Sequence, residues 1–340
     1  MTRTFPRSLS LTGAIFASVC IAGVALPQSV RAADFTMKIG VLSVGDAQHN
    51  FAEAAKAAVE KATNGRIEVK VFPRGQLGSA GAHVQGLQLG TIEGFIPPID
   101  FFAGLDARAG VFSSPFLFRG REHARAVVHS PEVFDEAMTL LESKGIVGGM
   151  IGATADGKYI AKNPLRKLSD FNGKKLRVNA TDAERERMKR LGATAIPMSL
   201  AEMVTSLQSG VIDGTMSGIS IHVNFNLQSY SNVLLRTNDT MLVSYTALSK
   251  KWLDGLPPDL RNTVLTTVRS LKAEWNRLAD KDDAELSKKW LDRGGTFIEF
   301  SPADHAEMRK KTESVGDDVT AKNPAVNAYY KKVKALAAKN

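Results

Sequence analysis

Apolar positions along the chain form short runs that alternate with longer amphipathic stretches, and the same order occurs twice. Lys38-Ile39-Gly40-Val41-Leu42 is an apolar run of strand length. Over residues 50–62 Ala and Val recur on one helical face, until Asn64-Gly65 ends the pattern. Ile67, Val69 and Val71 then alternate with polar residues, the period of a strand. A helix over 81–89 stops at Gly90, and a strand follows over 91–96. The second passage begins with Lys175-Leu176-Arg177-Val178. Its first helix is capped by Thr181 or Asp182 and ends at Gly192, and residues 193–198 form the next strand. Ser199 opens a further helix with Glu202 completing a capping box; it ends at Gly210, and the last strand covers 211–216.

A short sequence is shared at matching places in the two passages. Leu87-Gln88-Leu89-Gly90-Thr91-Ile92-Glu93-Gly94 corresponds to Leu207-Gln208-Ser209-Gly210-Val211-Ile212-Asp213-Gly214. The reading is an α/β fold in which two βαβαβ-type domains flank a cleft. Ligands of such sheets bind at the carboxyl ends of strands. The segments to watch are therefore 43–49, 97–101, 179–181 and 215–222, which bring forward Gln48, Pro97, Phe101, Ser217 and His222.

From Pro258 almost to Leu291 apolar residues recur at three- and four-residue steps, including Trp275 and Trp290. One helix of that length would reach about 45 Å at 1.5 Å per residue, enough to run along both domains. A last helix is expected over 302–316, followed by a basic tail. The division implied is 33–153 plus about 243–282 for domain I, and 154–242 plus about 283–340 for domain II. The chain would hinge near 151–154 and 234–246, where it passes between them.

The first 32 residues differ in kind. Arg3 and Arg7 precede an apolar run from Leu9 to Leu26 that Pro27 closes, and Val30-Arg31-Ala32 offers small residues at a cleavage site. This reads as a secretory signal peptide, too short for a spanning helix. Arg3, Arg7 and Arg31 leave with it and no acid does, so the formal charge falls from +9 to +6. Cys20, the single cysteine, leaves as well, which suits an oxidising compartment. The remaining charges are interspersed, as in Lys281-Asp282-Asp283, and read as a solvated surface with no basic, aromatic-laced patch for nucleic acid.

Enzyme signatures are absent: no H-E-x-x-H, no G-x-S-x-G and no phosphate-binding P-loop occur, and the six histidines show no metal-ligand spacing. The reading is a periplasmic binding protein with no cofactor that closes by hinge motion around a small molecule.

Several segments carry a family resemblance. They are Gly65-Arg66-Ile67 through Phe72-Pro73-Arg74-Gly75-Gln76-Leu77-Gly78, then Leu89-Gly90-Thr91-Ile92-Glu93, Pro115-Phe116-Leu117-Phe118, Asn172-Gly173-Lys174-Lys175-Leu176-Arg177-Val178, and Gly210-Val211-Ile212-Asp213-Gly214. In this order, over nearly all of the chain after residue 32, they resemble the solute-binding proteins of tripartite ATP-independent periplasmic (TRAP) transporters, the C4-dicarboxylate-binding type. The resemblance implies a periplasmic, monomeric receptor that hands an organic carboxylate to membrane permease subunits. It gives Arg177 the ligand carboxylate, a role a planar guanidinium fork can fill with two parallel hydrogen bonds. Gly157-Lys158 is the nearest counterpart of a second family arginine, Ser217 stands where many members have asparagine, and Leu200 stands where some have a cleft aromatic. With Phe101, Phe102 and Met198 near strand ends, these departures predict a largely apolar pocket beyond Arg177 and a preference for monocarboxylates over succinate, malate or sialic acid. The alternatives are a receptor of the ABC type, or a periplasmic hydrolase or isomerase with a dispersed site.

Overall fold

The computed structural model describes residues 32–179 and 181–339. The expected signal peptide, its apolar run and Cys20 lie outside the described residues.

In the first half β1 (Phe35–Gly40), α1 (Ala47–Ala62), β2 (Ile67–Phe72), α2 (Ala80–Leu89) and β3 (Gly94–Phe95) follow in order. β1 lies between β2 and β3, and both pairings are parallel. Helices α3 (Arg121–Val128) and α4 (Pro131–Thr139) lead into the long strand β4 (Ile146–Ala161). The second half repeats the plan with β5 (Lys175–Val178), α5 (Asp182–Arg190), β6 (Thr194–Pro197), α6 (Leu200–Ser209), β7 (Gly214–Ser217) and α7 (Ile219–Asn224), again with the first strand between the other two. A second long strand, β8 (Val233–Ser249), returns beside β3 and runs antiparallel to β4. One mixed sheet results, in the order β2-β1-β3-β8-β4-β7-β5-β6. Two three-stranded parallel sets are thus joined through two crossing strands.

The shared Leu-Gln-x-Gly sequence has one structural meaning in both halves. Gly90 and Gly210 end α2 and α6 in the left-handed conformation, at φ 75° and 77°. A side chain is strained there, so each glycine stops its helix and turns the chain into the next strand. At the other end of α6 the capping box of Ser199 and Glu202 is formed, and Thr181 with Glu184 forms the same device on α5. Helix α1 starts earlier than the periodicity indicates, because Asp46 caps it by accepting the His49 N–H at 3.1 Å.

The remaining elements are α8 (Lys250–Asp254), α9 (Pro258–Ser270), α10 (Lys272–Asp292), β9 (Thr296–Glu299), α11 (Pro302–Thr312), α12 (Val315–Thr320) and α13 (Pro324–Lys339). The single helix expected from Pro258 is therefore two, divided at Leu271 (φ −82°, ψ 18°). The second of them still spans both halves. Trp275 enters the core formed by Ile39, Phe51 and Val69, and Trp290 enters that formed by Ile160, Met203 and Leu207. The basic tail is helix α13, whose apolar face buries Tyr329, Tyr330 and Val333 beside Phe112 and Val127 of the first half. Contacts hold residues 33–340 together as one unit, since β4, β8 and α10 belong to both halves. No helix among the described residues is long and apolar enough to cross a membrane.

Candidate functional site

The strand ends of both halves meet at one pocket, as the topology requires. The segment after β1 supplies Asp46 and Gln48, the turn after β3 supplies Pro98 and Phe101, β5 ends at Arg177 and Asn179, and β7 ends at Ser217. The crossing strands add Thr154 and Ser244 at mid-length. The pocket itself is tight, about 50 Å³. It adjoins a larger groove of about 780 Å³, with Leu42, Phe101, Arg177, Asn179 and Leu200 lining both.

Arg177 is only 3% exposed although it lines this space. Its Nε donates to the Met198 carbonyl at 3.1 Å, which fixes the plane of the guanidinium. Burial lowers its pKa, and Glu184 and Asp100 oppose that from beyond ion-pair range. Arginine nevertheless keeps its charge at neutral pH. Burial, and next Glu184, push the Asp100 carboxyl up to about 7, and Asn179 Nδ2 donates to it at 3.3 Å. Arg177 thus faces the pocket with no ion-pair partner within reach among the described residues, an arrangement that favours an incoming anion.

Gln48, Phe101, Leu200 and Ser217 also line the pocket. Gln48 Nε2 donates to Ser244 Oγ at 2.8 Å, and Ser244 Oγ lies 2.7 Å from Thr154 Oγ1, so one polar chain links α1 to both crossing strands. Lys158, Pro97 and His222 are not in the lining. The Lys158 ammonium is 1% exposed and engaged by Asp156 at 2.9 Å and Asp283 at 3.6 Å. The β4–β8 register shifts between Asp156 and Lys158, and a one-residue slip exchanges sheet faces. Pro97 uses its carbonyl to accept the Tyr245 N–H at 2.9 Å, leaving the pocket position to Pro98. His222 is fully buried behind the wall, its Nε2–H reaching the carbonyls of Lys158 at 3.0 Å and Ser217 at 3.2 Å. Burial drives this imidazole down to about 4, so it is a neutral buttress at physiological pH.

The surface that the pocket exposes is mostly apolar, as expected, although it is interrupted by polar side chains. Half of the residues around the pocket are polar or charged. Met198 lines only the outer groove, and Phe102 is core, packed edge-on to Phe95 and Tyr245. Asp46 and Ser220 fall in the segments expected to line the pocket, whereas the sequence reading missed Asp282, Thr154 and Ser244 as lining residues. For Asp282 a signal was present. It stands four residues from both Leu278 and Leu286, on the apolar row of α10, where a solvated acid does not belong. Among the described residues no group of three His, Cys, Asp or Glu is placed to hold a metal.

Comparison with known proteins agrees with this geometry. The model of the family described as bacterial extracellular solute-binding protein, family 7, matches residues 40–323. The chain is 27% identical to the 2,3-diketo-L-gulonate-binding periplasmic protein YiaO of Escherichia coli, over 82% of this chain and 84% of that protein. It is 27% identical to the C4-dicarboxylate-binding periplasmic protein DctP of Rhodobacter capsulatus, over 76% and 78%. Among solved structures, a TRAP periplasmic solute binding protein of Xanthobacter autotrophicus with bound β-D-galacturonate superposes with a TM-score of 0.81 at 26% identity, covering 88% of this chain and 99% of that one.

Proposed function

We propose a ligand, a site and a partner for this chain, which belongs to the bacterial extracellular solute-binding protein family 7 and is a TRAP-type receptor rather than an enzyme. It captures a small organic carboxylate between its two halves and delivers it to the membrane permease subunits of a TRAP transporter. Arg177 anchors the carboxylate. The observation that carries this reading is the buried guanidinium, oriented by one backbone carbonyl and lining the pocket. Gln48, Phe101, Leu200 and Ser217 shape the rest, and Lys158 and His222 support the wall from behind. Relatives named for 2,3-diketo-L-gulonate and C4-dicarboxylates, and a structural neighbour holding galacturonate, favour an organic acid here. Native mass spectrometry of protein purified without denaturation tests it. The expected adduct is an acid of metabolite size, and a neutral or basic adduct as the sole ligand would refute the carboxylate reading.

The two halves act as domains. Residues 33–153 with about 243–282 form one and 154–242 with about 283–323 the other, while α13 joins the first through its packing. They hinge in β4 and β8 and close over the ligand. In the form described, Asn224 Nδ2 of α7 donates to the Val44 carbonyl at 2.8 Å, bridging the two halves. Small-angle scattering should give a smaller radius of gyration at saturating ligand than without it. Superimposable curves would mean a rigid receptor.

Residues 1–32 direct export to the periplasm, and the mature chain begins at Ala33 or Asp34 and works as a monomer. N-terminal sequencing of periplasmic material checks the cleavage point. Recovery of the uncleaved chain in the membrane fraction would contradict it.

A further inference from the structure

Away from the mouth shared with the outer groove, the pocket wall carries two carboxyl groups. Asp46 and Asp282 line the inner pocket and not the groove, whereas Arg177 lines both. Asp46 caps α1, and Asp282 comes from the middle of α10. The Asp282 carboxyl takes the Ala47 N–H at the start of α1, which uses part of its accepting capacity. Asp46 is committed to the His49 N–H, and the Ser220 hydroxyl of the other half also lies against it. Asp283, the next residue, faces the opposite way and pairs with Arg121 at 3.1 Å. Asp282 forms no ion pair among the described residues, and it lines the cavity.

We propose that Asp282, supported by Asp46, is the specificity-determining pole of this pocket, selecting carboxylates whose body carries a hydrogen-bond donor, a hydroxyl or an ammonium, away from the carboxylate. The proposal rests on the reading of Arg177 as the carboxylate anchor. A wholly apolar body would cover the Asp282 carboxyl without bonding it, leaving a buried polar group unsatisfied. A donor on the ligand removes that penalty. The neighbouring hydroxyls of Ser217, Ser220 and Ser244 extend the same preference, since each accepts as well as donates. Burial, and then the nearness of Asp46, push Asp282 up to about 8. The pocket wall is thereby spared two adjacent negative charges, and an arriving hydroxyl finds a partner able to accept or donate. An ammonium would instead displace the proton and pair with the carboxylate.

Calorimetric titration with three six-carbon probes decides this: hexanoate with no donor, gluconate with hydroxyls, and 6-aminohexanoate with an ammonium. Gluconate or 6-aminohexanoate should bind about 10–100-fold more tightly than hexanoate, the size of one or two hydrogen bonds to a charged or buried group. Whichever donor wins identifies its chemistry. Asp282→Leu should erase most of that preference, and Asp282→Asn, which keeps hydrogen-bonding capacity, should retain part of it for gluconate and lose it for 6-aminohexanoate. Thermal melts of both variants certify folding. Hexanoate binding as tightly as the other two, or a preference unchanged in folded Asp282→Leu, overturns the proposal. Sorbitol separates the two readings. If this neutral polyol binds as tightly as gluconate and still depends on Asp282, the carboxylate anchor fails while the donor-reading pole stands.

Discussion

Replacing Arg177 with alanine should reduce affinity for the carboxylate ligand by well over tenfold. A charge-assisted hydrogen bond contributes about 1.5–3 kcal/mol, and a guanidinium fork makes two at once to a carboxylate. Each 1.4 kcal/mol is about tenfold in affinity, so loss of the fork can exceed a hundredfold. The folded state should survive, because among the described residues the Arg177 side chain makes one hydrogen bond, from Nε to the Met198 carbonyl, and no ion pair. Arg177→Lys should recover little. An ammonium is a point donor, and the backbone contact that now orients the plane would have no counterpart. Calorimetric titration of the two variants with the acid extracted from the wild type measures both effects. Equal affinity in Arg177→Ala would move the anchor to another residue.

Trp275→Ala should lower the unfolding free energy by about 3–5 kcal/mol, the cost of a large aromatic-to-alanine change in a core. Natural proteins have only about 5–15 kcal/mol in total, so the loss is severe. The indole is fully buried, meets Phe51 edge-on at 5.1 Å, and donates from Nε1 to the Ala153 carbonyl of β4 at 3.1 Å. It fits because Gly152 has no side chain, as a Cβ there would lie 2.4 Å from the ring. Trp275→Phe should recover much of the packing and none of the hydrogen bond. Urea unfolding curves give the difference, and a loss below about 1 kcal/mol for the alanine variant would show that this joint is not held by the indole.

What could be read in the sequence was what depends on local chemistry. The capping boxes at Thr181 and Ser199, the helix-stopping Gly90 and Gly210, and the strand at Lys175–Val178 follow from short-range patterns and stand in the structure. The duplicated order of elements located the strand ends and hence the pocket segments. The break at Leu271 was not legible, because apolar spacing continues across it while the backbone changes direction. Lys158 was misplaced for a related reason. Its facing is set by a register shift against β8, and pairing across nearly eighty residues leaves no mark near Lys158 itself. Asp282 was read as solvated because neighbouring charges suggested a surface, although its helical row held the opposite answer. The tail looked polar in composition, yet Tyr329, Tyr330 and Val333 share one face and bury it.

The two crossing strands have a consequence for how the chain acquires its fold. β3 is bordered on one side by β1 and on the other by Ala247 and Leu248 of β8. The partner that completes the first half thus emerges about 150 residues after β3 itself, or roughly 8–30 s later at a synthesis rate of ~5–20 residues per second. Pairing across such separations is slow in its own right, since the loop must be closed before the contacts repay it. No amino-terminal fragment ending before residue 249 contains the strand that finishes its sheet. The topology thereby holds off collapse of the first half into a finished domain until β8 has been made.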